Sequence, residues 1–204
     1  MRTIILILFA VLLQISCSNN GTFTKPDPVF QLPPETQTGA NTFGVTINGK
    51  VYIPRDPTGA TFGPSGHGMI FWASPDLISW DELEVKDGAS KVGFKIYIHL
   101  QQLKTLGVSK YKLKTSNFHT GIDSVPFNNI FFKIWDFNIS NYAYYGSVED
   151  QGEVNITRCN NATDYIVSGN FNGKFVRYDN PNDFIQITDG RFDIGPGILD
   201  KVFP

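Results

Sequence analysis

Three histidines, two cysteines and a run of carboxylates are the residues from which this chain could build chemistry. Gly63-Pro64-Ser65-Gly66-His67-Gly68 sets a serine among glycines, close to a histidine. A nucleophile elbow needs glycine two residues to each side of the serine, on a strand-to-helix turn. Gly63 fits, but His67 holds the second place and no α/β pattern surrounds the segment, so it reads as a loop. His67, His99 and His119 lack the close spacing of a helical metal motif. His99 falls on the outward face of an expected strand, and the other two fall in loops. Hydrogen-bonded or solvated imidazoles fit this pattern better than metal ligands, and no metal or other cofactor is expected.

Carboxylates crowd at Asp76, Asp81, Glu82, Glu84 and Asp87. A glycoside hydrolase needs two such groups across a cleft, with pKa values held apart. Glu82 and Glu84 instead alternate along one strand face, continued by Lys86, as on a solvated sheet edge. Asp179-Asn180-Pro181-Asn182-Asp183 has the flavour of a calcium loop. Pro181 occupies a ligand place and no glutamate closes the loop, so turn chemistry is the better reading. No catalytic residue is assigned.

Aromatic side chains make the better case, and it is a case for binding. Flat amphipathic rings stack on sugars or anchor protein partners when exposed, and fill a core when buried. Trp72 and Trp135 sit in apolar runs and are expected in the core. Trp80, Tyr144 and Tyr145 are the candidate ligand-binding platform. Asp123-Ser124-Val125 matches a three-residue O-glycosylation acceptor of extracytoplasmic proteins in some gram-negative bacteria, which marks Ser124.

These residues need elements to hold them. The chain has 204 residues, enough for one domain of ordinary size. It is rich in Gly, Phe and Pro, with charged residues at 18% and a formal net charge of -2. Aromatic and β-branched residues suit pleated surfaces, and Gly and Pro supply turns. The weak acidic charge offers no field for nucleic acid, and no polybasic segment marks anionic lipid.

The N-terminus reads as an export signal. Met1-Arg2 is followed by the apolar run Ile4 to Leu13, half the length of a membrane span. Gln14-Ile15-Ser16-Cys17 then resembles the bacterial lipoprotein box, which implies cleavage before Cys17 and its acylation. The alternative is a plain secretory peptide with a chance cysteine. With Cys17 acylated, Cys159 has no disulfide partner and is expected to be a structural thiol. The segments are then 1–16 signal peptide, 17–38 an extended, proline-broken tether, and 39–204 a β-domain.

Within that domain Asn48-Gly49 signals a two-residue hairpin setting Val45 opposite Tyr52. Asp87-Gly88 marks a second hairpin, whose following strand points Val92, Phe94, Ile96, Ile98 and Leu100 inward. Leu100 to Leu106 with Gly107 reads as one short helix. Ile130 to Phe137 is apolar on both faces, as a central strand should be. Three strands close the chain, within 152–158, 165–171 and 184–194. The last breaks phase at Asp189-Gly190. A β-bulge with glycine at positive φ is expected there, keeping Ile185, Ile187, Phe192 and Ile194 all on the core side. The whole reads as one all-β domain, an antiparallel sandwich or flattened barrel of about eight to ten strands.

Three stretches carry a resemblance. Leu32-Pro33-Pro34-Glu35-Thr36-Gln37-Thr38-Gly39-Ala40-Asn41-Thr42-Phe43-Gly44 and Ile187-Thr188-Asp189-Gly190-Arg191-Phe192-Asp193-Ile194 are similar to the two ends of an uncharacterised gram-negative lipoprotein family, as is Val167 to Phe171. That resemblance implies an outer-membrane lipoprotein and carries over no functional residue. The expected role is non-enzymatic, binding a glycan or an envelope protein, or structural. A glycan-active hydrolase is the alternative.

Overall fold

The computed structural model describes residues 29–59, 66–74, 80–121, 127–160, 165–195 and 202–203. Ten strands form one curled antiparallel sheet, a half-barrel, with one short helix among the described residues. The strands are β1 (Thr42–Ile47), β2 (Lys50–Tyr52), β3 (Met69–Trp72), β4 (Trp80–Lys86) and β5 (Phe94–Gln101). Helix α1 (Leu103–Leu106) follows. Then come β6 (Lys110–Lys112), β7 (Asn129–Asp136), β8 (Asn141–Asn160), β9 (Ile166–Arg177) and β10 (Asn180–Ile194). Across the sheet the order is β2-β1-β10-β9-β8-β7-β5-β4-β3, with β6 paired to β8.

The closing meander forms the middle of this sheet. Strand β8 runs unbroken for 20 residues, so the tyrosines from position 142 and the stretch from position 152 are one strand. The Asn48-Gly49 turn has both residues at positive φ and sets Val45 opposite Tyr52, as the dipeptide requires. Helix α1 ends where the Gly107 N–H, at φ 58, bonds back to the Leu103 carbonyl at 2.9 Å.

Alternation decides which face holds the core. Phe94, Ile96, Ile98 and Leu100 of β5 bury one face together with Phe132, Phe171, Phe175 and Ile187. Val92 precedes the strand and is exposed, because β5 begins only at Phe94. Register shifts between Ile187 and Gly190, and Ile185, Ile187, Phe192 and Ile194 all stay in the core. The bulge is as expected, but its glycine serves another purpose. Gly190 lacks a positive φ; a Cβ there would lie 2.4 Å from the Phe171 ring, so the ring occupies the space a side chain would need.

The outer face is covered in two places. Residues 29–41 run along it, with Pro33 over Gly44. The last ten residues of the expected tether therefore lie against the sheet. Elsewhere the β6–β7 connection lays Phe118 across the sheet. Gly146 permits this, because a Cβ there would meet the Phe118 ring at 2.5 Å. Phe118 then packs edge-on against Phe131 and Tyr178.

Strands β2 and β3 are the two edges of the order. A latch links the chain beyond β2 to the β4–β5 hairpin. The Arg55 N–H donates to the Lys86 carbonyl, and the Gly88 N–H donates to that of Arg55. The Arg55 guanidinium forks onto Asp87 at 2.7 and 2.6 Å. Bidentate geometry of this kind is directional as well as attractive.

Candidate functional site

The turns 48–49, 87–93, 137–140 and 178–179 gather at one end of the half-barrel, because each joins strands paired antiparallel in one sheet. The strand ends leading into them form a rim. Two cavities adjoin there and share Ile134, Trp135 and Phe137 as their common wall. The first, about 230 Å³, lies among Phe30, Tyr52, Phe94, Lys50 and the Arg55–Asp87 pair. The second, about 410 Å³, lies among Asp136, Tyr145, Arg177 and Asp183.

Trp135 and Tyr142 face each other across β7 and β8 and meet edge-to-face, with centroids 5.1 Å apart. Phe137, just past the end of β7, is 75% exposed. The Lys133 ammonium sits 4.7 Å from the centre of the Tyr142 ring. In the second cavity, which Trp135 and Phe137 also line, Arg177 donates to three carboxylates: Asp179 at 2.6 Å, Asp136 at 3.0 Å and Asp183 at 3.2 Å. The Tyr145 hydroxyl also reaches Asp183, at 3.2 Å. The N–H of Asn138 holds Asp136 below the usual carboxylate range; burial opposes this, and the Arg177 guanidinium adds to the lowering. The rim thus joins flat rings to planar groups that donate and accept hydrogen bonds.

The expected platform residues are dispersed. Tyr144 is exposed on the outer face, near Lys133. Tyr145 points to the opposite face and is half-buried against the core, so the two tyrosines form no common platform. Its hydroxyl nevertheless lines the second cavity. Trp80 pairs with Gln101 through its backbone, and its side chain lies outside the described residues. Cys17, Ser65, Asp76 and Ser124 lie outside them too, as do the expected signal peptide and the expected tether up to residue 28. Trp72 is exposed at the β3 edge and Trp135 is half-exposed, where both were expected in the core.

The other candidate groups are tied up in the fold. His99 was expected to face solvent but is fully buried, its Nε2 at 2.7 Å from Glu82 Oε2. The register aligns Glu82, His99 and Asn129 across β4, β5 and β7 on the outer face, beneath covering chain. The Gly121 N–H, from the β6–β7 connection, also donates to Glu82 at 2.8 Å. Glu82 is therefore no solvated edge residue. Asp81 lies on the opposite face and accepts the Ser74 N–H at 2.7 Å, so these carboxylates do not converge. His119 is exposed. No group of three metal-ligating side chains occurs among the described residues. Burial, with a smaller contribution from Asp81, pushes the Cys159 thiol pKa up, away from the reactive thiolate.

Asp193 ties together the segments 32–44, 167–171 and 187–194. Its carboxylate accepts from the Thr36 and Ser168 hydroxyls, both at 2.6 Å, and from the N–H groups of Thr38, Gly39 and Ala40. Arg191 donates to the Pro33 carbonyl at 3.2 Å, and Asn41 accepts the Gly195 N–H at 2.8 Å. The conspicuous motifs hold the leading segment to β10. A cavity of about 260 Å³ beside them is lined by Thr36, Arg191 and Asp193.

Phe137 and Arg177 carry no site signal in the sequence, Trp135 reads there as a core ring, and Asp183 reads as part of a turn. The chain matches no protein-family model, no curated protein and no solved structure.

Proposed function

We propose that this chain is a cell-envelope lipoprotein, anchored through Cys17 in the outer membrane, whose rim binds a glycan without altering it chemically. The observation that carries the reading is the pairing of Trp135 and Phe137 with the Arg177 carboxylate cluster across adjoining cavities. Sugars present apolar C–H faces and rows of hydroxyls. A ring accepts the first, and fixed carboxylates and guanidinium groups pair with the second. Binding sites generally combine an apolar wall with a few placed polar groups.

A hydrolase reading asks for a carboxylic acid kept protonated near neutral pH. Asp136 is shifted the opposite way, and Asp183 shares its Arg177 nitrogen. Asp136 thus suits hydrogen-bond acceptance better than proton donation. Titration of the full-length protein against a panel of envelope saccharides tests the reading. Binding that weakens in Phe137→Ala supports it, and no heat of binding from any saccharide rejects it.

A further inference from the structure

We infer that the rim faces the membrane that carries the lipid anchor, and that the glycan it takes is the saccharide headgroup of a lipid in that membrane. This rests on the proposed Cys17 anchor and on the saccharide reading of the rim.

The first support is where the described chain begins. Val29 is exposed and Phe30 lines the first rim cavity, with the Arg55 guanidinium 5.5 Å from its ring centre. The described chain therefore begins at this end of the half-barrel. Twelve residue steps separate Cys17 from Val29, a reach of at most about 40 Å even if fully extended. Strand β8 alone has 20 residues, about 60 Å of strand. At a barrel-like tilt of about 45°, and with the bend that the register shift between Ser147 and Gly152 brings, its far end stands at most about 40 Å from the rim. Turning the far end onto the membrane would need most of the connecting segment's reach, whereas the rim needs little of it.

The second support is what the rim exposes. Val92, Phe137, Ile139 and Tyr178 lie on its turns, and Phe184 flanks them, all exposed. Tyr178 is 74% exposed. Ile139 and Tyr178 line neither rim cavity, so a saccharide seated there would not cover them. The third support is the pairing of lysines with rings around the carboxylate cluster. Lys50, Lys133 and Lys174 each lie over an aromatic ring at this end: Tyr52, Tyr142 and Phe184. Aromatic rings beside lysines are the composition of a membrane–water boundary, where ring bodies sit among headgroups and ammoniums meet anionic lipid. A ligand in this layer offers saccharide to the cavities and acyl boundary to the surrounding apolar side chains.

Amide hydrogen exchange on the full-length acylated protein in vesicles tests the inference. Three samples are compared: phosphatidylethanolamine–phosphatidylglycerol vesicles, the same with lipopolysaccharide, and the first with soluble saccharide released from that lipopolysaccharide. Exchange in the turns 137–140 and 178–179 should slow at least about fivefold with lipopolysaccharide in the bilayer, and much less with soluble saccharide at equal concentration. The Phe137→Asp protein, still folded by its melting temperature, should lose that slowing. Equal slowing by soluble saccharide overturns the lipid-borne ligand and leaves the saccharide reading standing. No slowing by either overturns both. Equal protection in plain and lipopolysaccharide vesicles also overturns the inference, because lipid without saccharide would then suffice.

Discussion

The Asp193 carboxylate accepts a 2.6 Å hydrogen bond from the hydroxyl of Thr36, a residue 157 positions earlier in the chain. Asp193 is 1% exposed and receives five donors, three of them successive backbone N–H groups. Hydrogen bonds to a charged acceptor contribute about 1.5–3 kcal/mol each, though not additively. The Asp193→Asn protein should lose about 3 kcal/mol of stability in urea. Amides of residues 36–41 should exchange first. Loss below about 0.5 kcal/mol would show that the leading segment docks without this residue.

The same carboxylate makes a specific demand on pH. Burial raises its pKa, but bonds from Ser168, Thr36, Ala40 and Gly39 outweigh that and bring it down to about 2, from 3.8. A depressed carboxylate stabilises the fold above its unfolded pKa, and that contribution disappears as pH falls through the folded value. The stability gap between the wild type and Asp193→Asn should hold above about pH 5, and shrink by about 2 kcal/mol on acidification to pH 2. Urea titrations at a series of pH values check the sign; a gap that widens in acid would contradict it.

Gly190 touches the Phe171 ring where a Cβ would fall 2.4 Å from it. The Gly190→Ala change must displace a fully buried aromatic ring, at a cost of about 1–3 kcal/mol. Phe171→Leu in the same chain should recover part of that loss, so the two changes should be non-additive by at least about 0.5 kcal/mol. Thermal melts of the two single variants and the double variant decide it.

Glu82 and His99 form a buried pair under the β6–β7 connection. Removing one partner strands a buried polar or charged group, and such losses run to about 3–5 kcal/mol. His99→Leu should fall in that range. Replacing both residues by leucine should cost less than the sum of the single changes. A strictly additive cycle would mean that the pair does not interact.

Much of the fold was legible because short-range chemistry dictated it. Asn48-Gly49 had to turn, Gly107 had to end a helix, and the phase break at Asp189-Gly190 had to be a bulge if four apolar side chains were to share one core. What alternation could not reveal was the covering of the outer face. His99 and Glu82 lie on a polar phase that normally faces water, and chain from the β6–β7 connection buries them. Trp135 shows the converse. It sits in a run that is apolar on both faces, yet it lies near the strand end, where the core stops and the rim begins. Position along the strand, rather than phase, was the missing variable. Arg177 and Asp183 converge only through the β9–β10 pairing and the neighbouring β7–β8 turn, a contact between segments that local pattern does not carry.

The most direct test is calorimetric titration of the full-length wild type and Phe137→Ala proteins with the same panel of envelope saccharides. Because Phe137 is largely exposed, the substitution should leave the melting temperature unchanged. At least one saccharide should bind the wild type and bind the variant about tenfold more weakly, about 1.4 kcal/mol. Equal affinity in the two proteins, or no binding by any saccharide, would contradict a glycan site at the rim.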